Sequence, residues 1–147
     1  MPLPIENYAL IGNTRTAALV GTDGSIDWMC VPRFDAPSCF AALLGTPEHG
    51  RWLLAPEAPG ATVTRSYRPD SLVLESRFET SEGAVSVIDC MPVWGDRTDV
   101  VRVVECTRGS MAMRMELVIR PSYGVATPWV RRVDDALLAT AGPDSLE

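Results

Sequence analysis

Alternation with a period of two runs through much of the chain, the spacing that turns successive side chains to opposite faces of a strand. Met113, Met115, Leu117 and Ile119 alternate with Arg114, Glu116, Val118 and Arg120. Leu72, Leu74, Ser76 and Phe78 alternate in the same way with Val73, Glu75, Arg77 and Glu79. A break at Ser81-Glu82-Gly83 and a second run from Ala84 to Cys90 predict a β-hairpin over residues 71–90. Val100 to Cys106 is more continuously apolar and predicts a strand covered on both faces. Nearer the N-terminus, Thr16–Val20 and Ser25–Cys30 flank Gly21-Thr22-Asp23-Gly24, whose Asp-Gly step supplies the positive φ of a tight hairpin. Residues 131–141 read as one further strand.

A single short helix is predicted from Ser38 to Leu44. Ser38 would cap it, Phe40, Ala41, Leu43 and Leu44 would form its apolar face, and Gly45 would end it. No repeat, linker or low-complexity stretch interrupts the pattern. The predicted class is therefore all-β: a single antiparallel β-sandwich domain over residues 1–147. Its last strand runs almost to residue 147, which predicts a truncated segment of a longer protein.

Composition narrows the functional classes. The chain is 46% hydrophobic and 22% charged, within the globular range. Nineteen acidic residues against 13 basic ones, all arginine, give a net charge of -6, so nucleic acid is not an expected partner. No apolar run reaches the roughly 20 residues of a membrane-spanning helix, and no basic n-region with an apolar h-region opens the chain. A cytoplasmic protein is expected, with no membrane partner.

The lone histidine, His49, excludes a two-histidine metal site. Its setting, Gly45-Thr46-Pro47-Glu48-His49-Gly50, reads as a solvated loop. Cys30, Cys39, Cys90 and Cys106 lack CxxC or metal-ligand spacing and read as reduced thiols. Neither a metal nor a cofactor is expected. Asp23, Asp27 and Asp35 lie close in sequence, yet a turn role explains Asp23 and Asp35 more simply than an acid/base pair.

Residues 5–55 carry the most specific pattern: Ile5-Glu6-Asn7-Tyr8, Ile11-Gly12-Asn13, Thr16-Ala17-Ala18-Leu19-Val20, Asp23-Gly24-Ser25-Ile26-Asp27-Trp28, Pro32-Arg33-Phe34-Asp35 and Gly50-Arg51-Trp52. This run resembles the N-terminal domain of bacterial and archaeal glycoside hydrolase family 15 proteins, the glucoamylase and trehalase group. Asn7 and Asn13 stand where that family has aspartates, and Ala36 where it has serine. Beyond residue 55 only the strand pattern is compatible.

The resemblance implies a two-domain parent: an N-terminal super-sandwich, of which this chain is part, and a C-terminal (α/α)6 barrel. The barrel would hold the carboxylates that hydrolyse α-glucosidic bonds with inversion, set roughly 6.5–9.5 Å apart. No long amphipathic helix occurs here, so no catalytic residue is expected in this chain. Arg33, Phe34 and Asp35, after Pro32, combine a planar cation, a ring and a carboxylate, a set suited to hydroxyl recognition or domain docking. The simpler alternative is a local Arg33–Asp35 ion pair that shapes the turn.

Among the tryptophans, Trp28 alternates with Ile26 and Cys30 and reads as core. Trp94 and Trp129 sit in loop-like segments and are candidates for docking or for stacking on the α-glucoside at the rim of the site. A free-standing carbohydrate-binding module is the alternative function. Truncation also predicts self-association through open β edges, with Val100-Val101-Arg102-Val103-Val104 as the exposed liability.

Overall fold

The computed structural model describes residues 2–93, 95 and 97–147, with Asp144 described in its backbone only. Among them, strands dominate and all pair antiparallel. The first sheet is built from β1 (Tyr8–Gly12), β2 (Ala17–Gly21), β3 (Ser25–Cys30), β5 (Arg51–Pro56) and β10 (Met113–Val118), in the order β1-β2-β3-β5-β10. The short β4 (Ser38–Phe40) pairs with β3. The second sheet is the meander β6 (Thr62–Tyr67), β7 (Leu74–Glu79), β8 (Gly83–Cys90) and β9 (Val101–Gly109). A third, small sheet holds β11 (Trp129–Val133), β12 (Ala136–Ala141) and β13 (Asp144–Leu146).

The two larger sheets meet through the side chains that the alternation assigns to one face. Leu74, Ser76 and Phe78 of β7 are buried, while Glu75 and Arg77 are half-buried. Phe78 and Val87 pack against Leu54 of the first sheet, with Val63 and Met113 at the margin. A second cluster gathers Ile11, Val20, Ile26, Met29 and Phe40 of the first sheet around Leu74 and Met91, and Leu146 of β13 leans on it. Each such aliphatic side chain contributes about 1.5–3 kcal/mol on burial. The Asp-Gly turn packs closely on β5: Gly24 has φ +81°, and a Cβ there would lie 2.3 Å from the Leu54 carbonyl oxygen. Only glycine fits both demands.

The predicted hairpins form, with β7 starting at Leu74 rather than residue 71. Three expectations are corrected. Residues 38–44 are not one helix. β4 is held extended by β3, and the Ala41 and Ala42 amides donate to the Gly50 carbonyl, so only Ala42–Leu44 wind into a 3-10 turn. Residues 131–141 are two strands, because Asp134, at φ 52°, reverses the chain between Val133 and Ala136. The run from Val100 is not a doubly covered central strand. β9 is the outer strand of its sheet, and Val101, Val103 and Val104 are 38%, 49% and 44% exposed.

Polar contacts tie the layers as well. Arg65 donates to the Val20 carbonyl at 3.0 Å. The Tyr67 hydroxyl donates to the Leu10 carbonyl at 2.8 Å and accepts from its amide at 2.9 Å, plugging the outer edge of β1.

Candidate functional site

The segment after Pro32 is anchored by its backbone and open at its side chains. The Phe34 amide donates to the Arg15 carbonyl at 3.2 Å, and the Ala36 amide to the Arg33 carbonyl at 3.1 Å. The Thr98 hydroxyl donates to the Pro32 carbonyl at 3.4 Å, joining the segment to the loop before β9. Outward from this frame, Arg33 Nε donates to Asp35 Oδ1 at 2.9 Å while their side chains stay 71% and 74% exposed. The Arg33 hydrogen bond holds the Asp35 carboxyl below the usual carboxylate range. Phe34 is 63% exposed between them. The local Arg33–Asp35 ion pair expected as the simpler alternative is present, and a pair so exposed contributes little to stability.

Trp129 opens β11 instead of lying in a loop. It faces Thr140 of β12 and is 78% exposed. Among the described residues, no hydrogen bond or ring contact joins it to Arg33, Phe34 or Asp35. Trp94 lies outside the described residues. Trp28 is half-buried, its ring tilted 34° against Tyr123 at a centroid distance of 6.2 Å.

Asp23 and Asp27 are held by local hydrogen bonds. Asp27 is buried and accepts from the Tyr8 hydroxyl at 2.7 Å on one oxygen and from the Ser25 hydroxyl on the other. Burial and the Asp27 partner push the Tyr8 phenol well up from its ordinary value. Asp23 accepts the Ser25 amide at 3.1 Å, closing the turn. Partial burial and the Asp27 charge raise its carboxyl, against the pull of that hydrogen bond. Both aspartates line a small cleft with Arg51, whose Nη2 is held by Glu116 at 2.7 Å. Both Asp27 oxygens are thus engaged by neighbouring hydroxyls.

His49 is exposed in the 3-10 turn Pro47–His49, its Nδ1 3.1 Å from the Thr46 amide and 3.0 Å from the Thr46 hydroxyl. It closes its own loop. All four cysteines are free thiols: Cys30 and Cys39 buried, Cys90 half-buried, Cys106 exposed. Among the described residues, no cluster of three or more His, Cys, Asp or Glu side chains is placed to hold a metal ion. Among them, too, no helix is long and apolar enough to cross a membrane.

One polar centre, between the sheets, is marked by no motif in the sequence. Arg102 of β9 reaches Asp89 of β8, the Trp52 carbonyl at 2.6 Å and the Gly24 carbonyl at 2.8 Å, with the Trp52 ring centroid 5.4 Å away. Its signal was a lone charge inside each of two apolar runs.

The family described as trehalase-like, N-terminal matches residues 1–146. Trehalase 1 of Sulfolobus acidocaldarius is 33% identical over 135 residues, covering 92% of this chain and 23% of that protein. The Mycobacterium tuberculosis trehalase is 29% identical over 131 residues, covering 76% of this chain and 19% of that protein. The Thermoplasma volcanium trehalase is 26% identical over 148 residues, covering 97% and 24%. The chain thus spans less than a quarter of the length of these relatives. No solved structure matches it.

Proposed function

Because this chain belongs to the trehalase-like N-terminal family, we propose that it is the non-catalytic N-terminal β-sandwich of a cytoplasmic, glycoside hydrolase family 15-like enzyme. That enzyme hydrolyses an α-glucosidic bond with inversion, trehalose being the first candidate substrate and the α-glucosides of glucoamylases the second. The observation that carries this is the family match over residues 1–146 in a chain that spans less than a quarter of its trehalase relatives. The remaining length of such an enzyme would supply the (α/α)6 barrel and its catalytic carboxylates. The engagement of Asp27 by Tyr8 and Ser25 supports a non-catalytic role for this part.

Arg33, Phe34 and Asp35 are the segment proposed to dock against that barrel or to reach the rim of its sugar site. Their backbone is fixed and their side chains are open, as a preformed contact requires. Trp94 and Trp129 are proposed as further aromatic contacts, for docking or for the rim of the sugar site. The exposure of Trp129 also supports a second reading, a free-standing carbohydrate-binding module.

Purified chain incubated with trehalose, maltose, isomaltose and dextrin separates these readings from catalysis. No glucose release is expected; robust turnover lost on Asp27→Asn would overturn the assignment. Tryptophan fluorescence titrated with maltooligosaccharides then divides the two non-catalytic roles. Saturable quenching at millimolar sugar or below supports the binding module, and a flat response supports docking.

A further inference from the structure

The pairing of β3 and β4 sets two cysteines against each other. Met29 faces Phe40, but the next pair is Cys30 with Ser38, so β4 carries one extra residue between them. That residue is Cys39. In such a bulge, two residues of one strand oppose a single residue of the other. Ser38 and Cys39 therefore both oppose Cys30. Facing Cα atoms in an antiparallel pair lie about 4.5–5.5 Å apart. A disulfide spans Cα separations of about 4.4–6.8 Å.

The Cys39 thiol is turned toward β3. Cys39 Sγ donates to the Met29 carbonyl at 3.4 Å, so it lies over the peptide that joins Met29 to Cys30. Both side chains are buried, each 4% exposed. We propose that Cys30 and Cys39 are a redox-responsive pair, reduced at rest and closing to a disulfide that staples β4 to β3. This goes beyond the N-terminal-domain reading and does not rest on it.

The oxidant is a small disulfide such as oxidised glutathione. A thiolate of the pair attacks it and expels one glutathione thiolate, giving a mixed disulfide. The second cysteine then attacks the protein sulfur of that adduct and expels the other. The pair loses two protons and two electrons, and two reduced glutathione molecules form. Burial pushes the Cys39 thiol up to about 12 and raises Cys30 too, so both are poor nucleophiles at neutral pH. Closure is therefore slow and accelerates as pH rises.

The consequence extends past the bond. The Ser38 and Cys39 carbonyls accept the Tyr123 and Arg120 amides at 3.4 and 3.1 Å, and Tyr123 packs on Trp28. Stapling β4 fixes this whole corner.

The test uses the full chain and a Cys90→Ser/Cys106→Ser variant, which leaves the core pair untouched. After treatment with oxidised glutathione, the variant is expected to lose both titratable thiols and the mass of two hydrogen atoms, without a glutathione adduct. Peptide mapping should link Cys30 to Cys39, and Tm should rise by a few degrees and fall back on reduction. Two persistent free thiols under alkaline oxidant, stable glutathione adducts, or linkage only between separate chains would each overturn the pair. In the full chain, a bond joining Cys30 or Cys39 to Cys90 or Cys106 would do the same.

Discussion

Arg102 and Asp89 face each other across β9 and β8 in a wholly buried ion pair, Nε to Oδ1 at 2.7 Å with both side chains 1% exposed. The second guanidinium nitrogen, Nη2, reaches Asp89 Oδ2 at 3.2 Å. The Trp52 carbonyl of β5 and the Gly24 carbonyl of the β2–β3 turn accept two further guanidinium hydrogen bonds, so the ion pair is set in a polar cradle. A buried pair of this kind stabilises little against a well-packed apolar substitute, but losing one member strands the other.

Arg102→Met should therefore cost about 3–5 kcal/mol in urea unfolding, because it leaves a buried carboxylate and two unpaired carbonyls. Asp89→Asn removes the countercharge but keeps an acceptor, and should cost less. The double variant should recover part of the Arg102→Met loss. Strictly additive costs would mean that the two residues stabilise the sandwich separately.

Two carboxylates should give opposite pH signatures. The Asp23 carboxyl is raised above its ordinary 3.8, so its contribution is full below that value and is lost as pH rises through the raised pKa. Asp23→Asn keeps an acceptor for the Ser25 amide and should be more stable than the parent at neutral pH, converging with it in acid. Glu116 is held below its ordinary 4.5 by hydrogen bonds from Arg51 and Arg114. Its contribution is present above 4.5 and fades as pH falls through the lowered pKa. Glu116→Gln should be less stable at neutral pH and converge in acid. Thermal unfolding between about pH 3 and 7 checks both signs against carboxylate titration, and variants shifted in the same direction at neutral pH would refute the assigned causes.

Exposed residues of the candidate surface should be silent in folding. Phe34→Ala and Trp129→Ala remove side chains that touch little of the core, so each should move stability by less than about 0.5 kcal/mol. In a longer enzyme that carries this chain, Phe34→Ala should instead weaken interdomain cohesion or raise KM. A large loss of Tm in the isolated chain would make Phe34 a packing residue and remove it from the rim.

Much of this architecture is legible in the sequence where local chemistry decides it. The alternation around Leu74, Ser76 and Phe78 selects the buried face, and Asp23-Gly24 can do little but turn. The Arg33–Asp35 pair follows from close spacing. Other features depend on partners far along the chain. Ser38 to Leu44 reads locally as a helix, but β3 holds Ser38–Phe40 extended and the Gly50 carbonyl takes the Ala41 and Ala42 amides. Asp134 turns without glycine because a short polar side chain tolerates positive φ. Apolar continuity at Val100–Val104 records burial somewhere without naming the neighbour, so it did not distinguish an edge from a centre. Tyr8–Asp27 and Arg102–Asp89 become visible only once register is known.

β9 is nine residues long, hydrogen-bonded to β8 on one side, and contains no proline. The opposite flank is guarded: Tyr67 plugs β1, and β6 presents Thr62, Thr64 and Ser66 to solvent. By register, Val104 faces Val87 and shares the core side, yet it remains 44% exposed because the first sheet does not cover it. Val103, on the other side, is 49% exposed. An outer strand that, among the described residues, pairs on one side only and carries valine on both faces invites another strand, and a second copy of the chain can supply one. The isolated chain is therefore expected to self-associate, with static light scattering rising above the monomer mass as concentration climbs through the micromolar range. Val103→Lys should restore the monomer, since a lysine on an edge opposes pairing, while a polar change on β6 should leave association intact. A monodisperse parent chain at high micromolar concentration would mean that β9 is sufficiently protected by its own twist and bulge near Thr107.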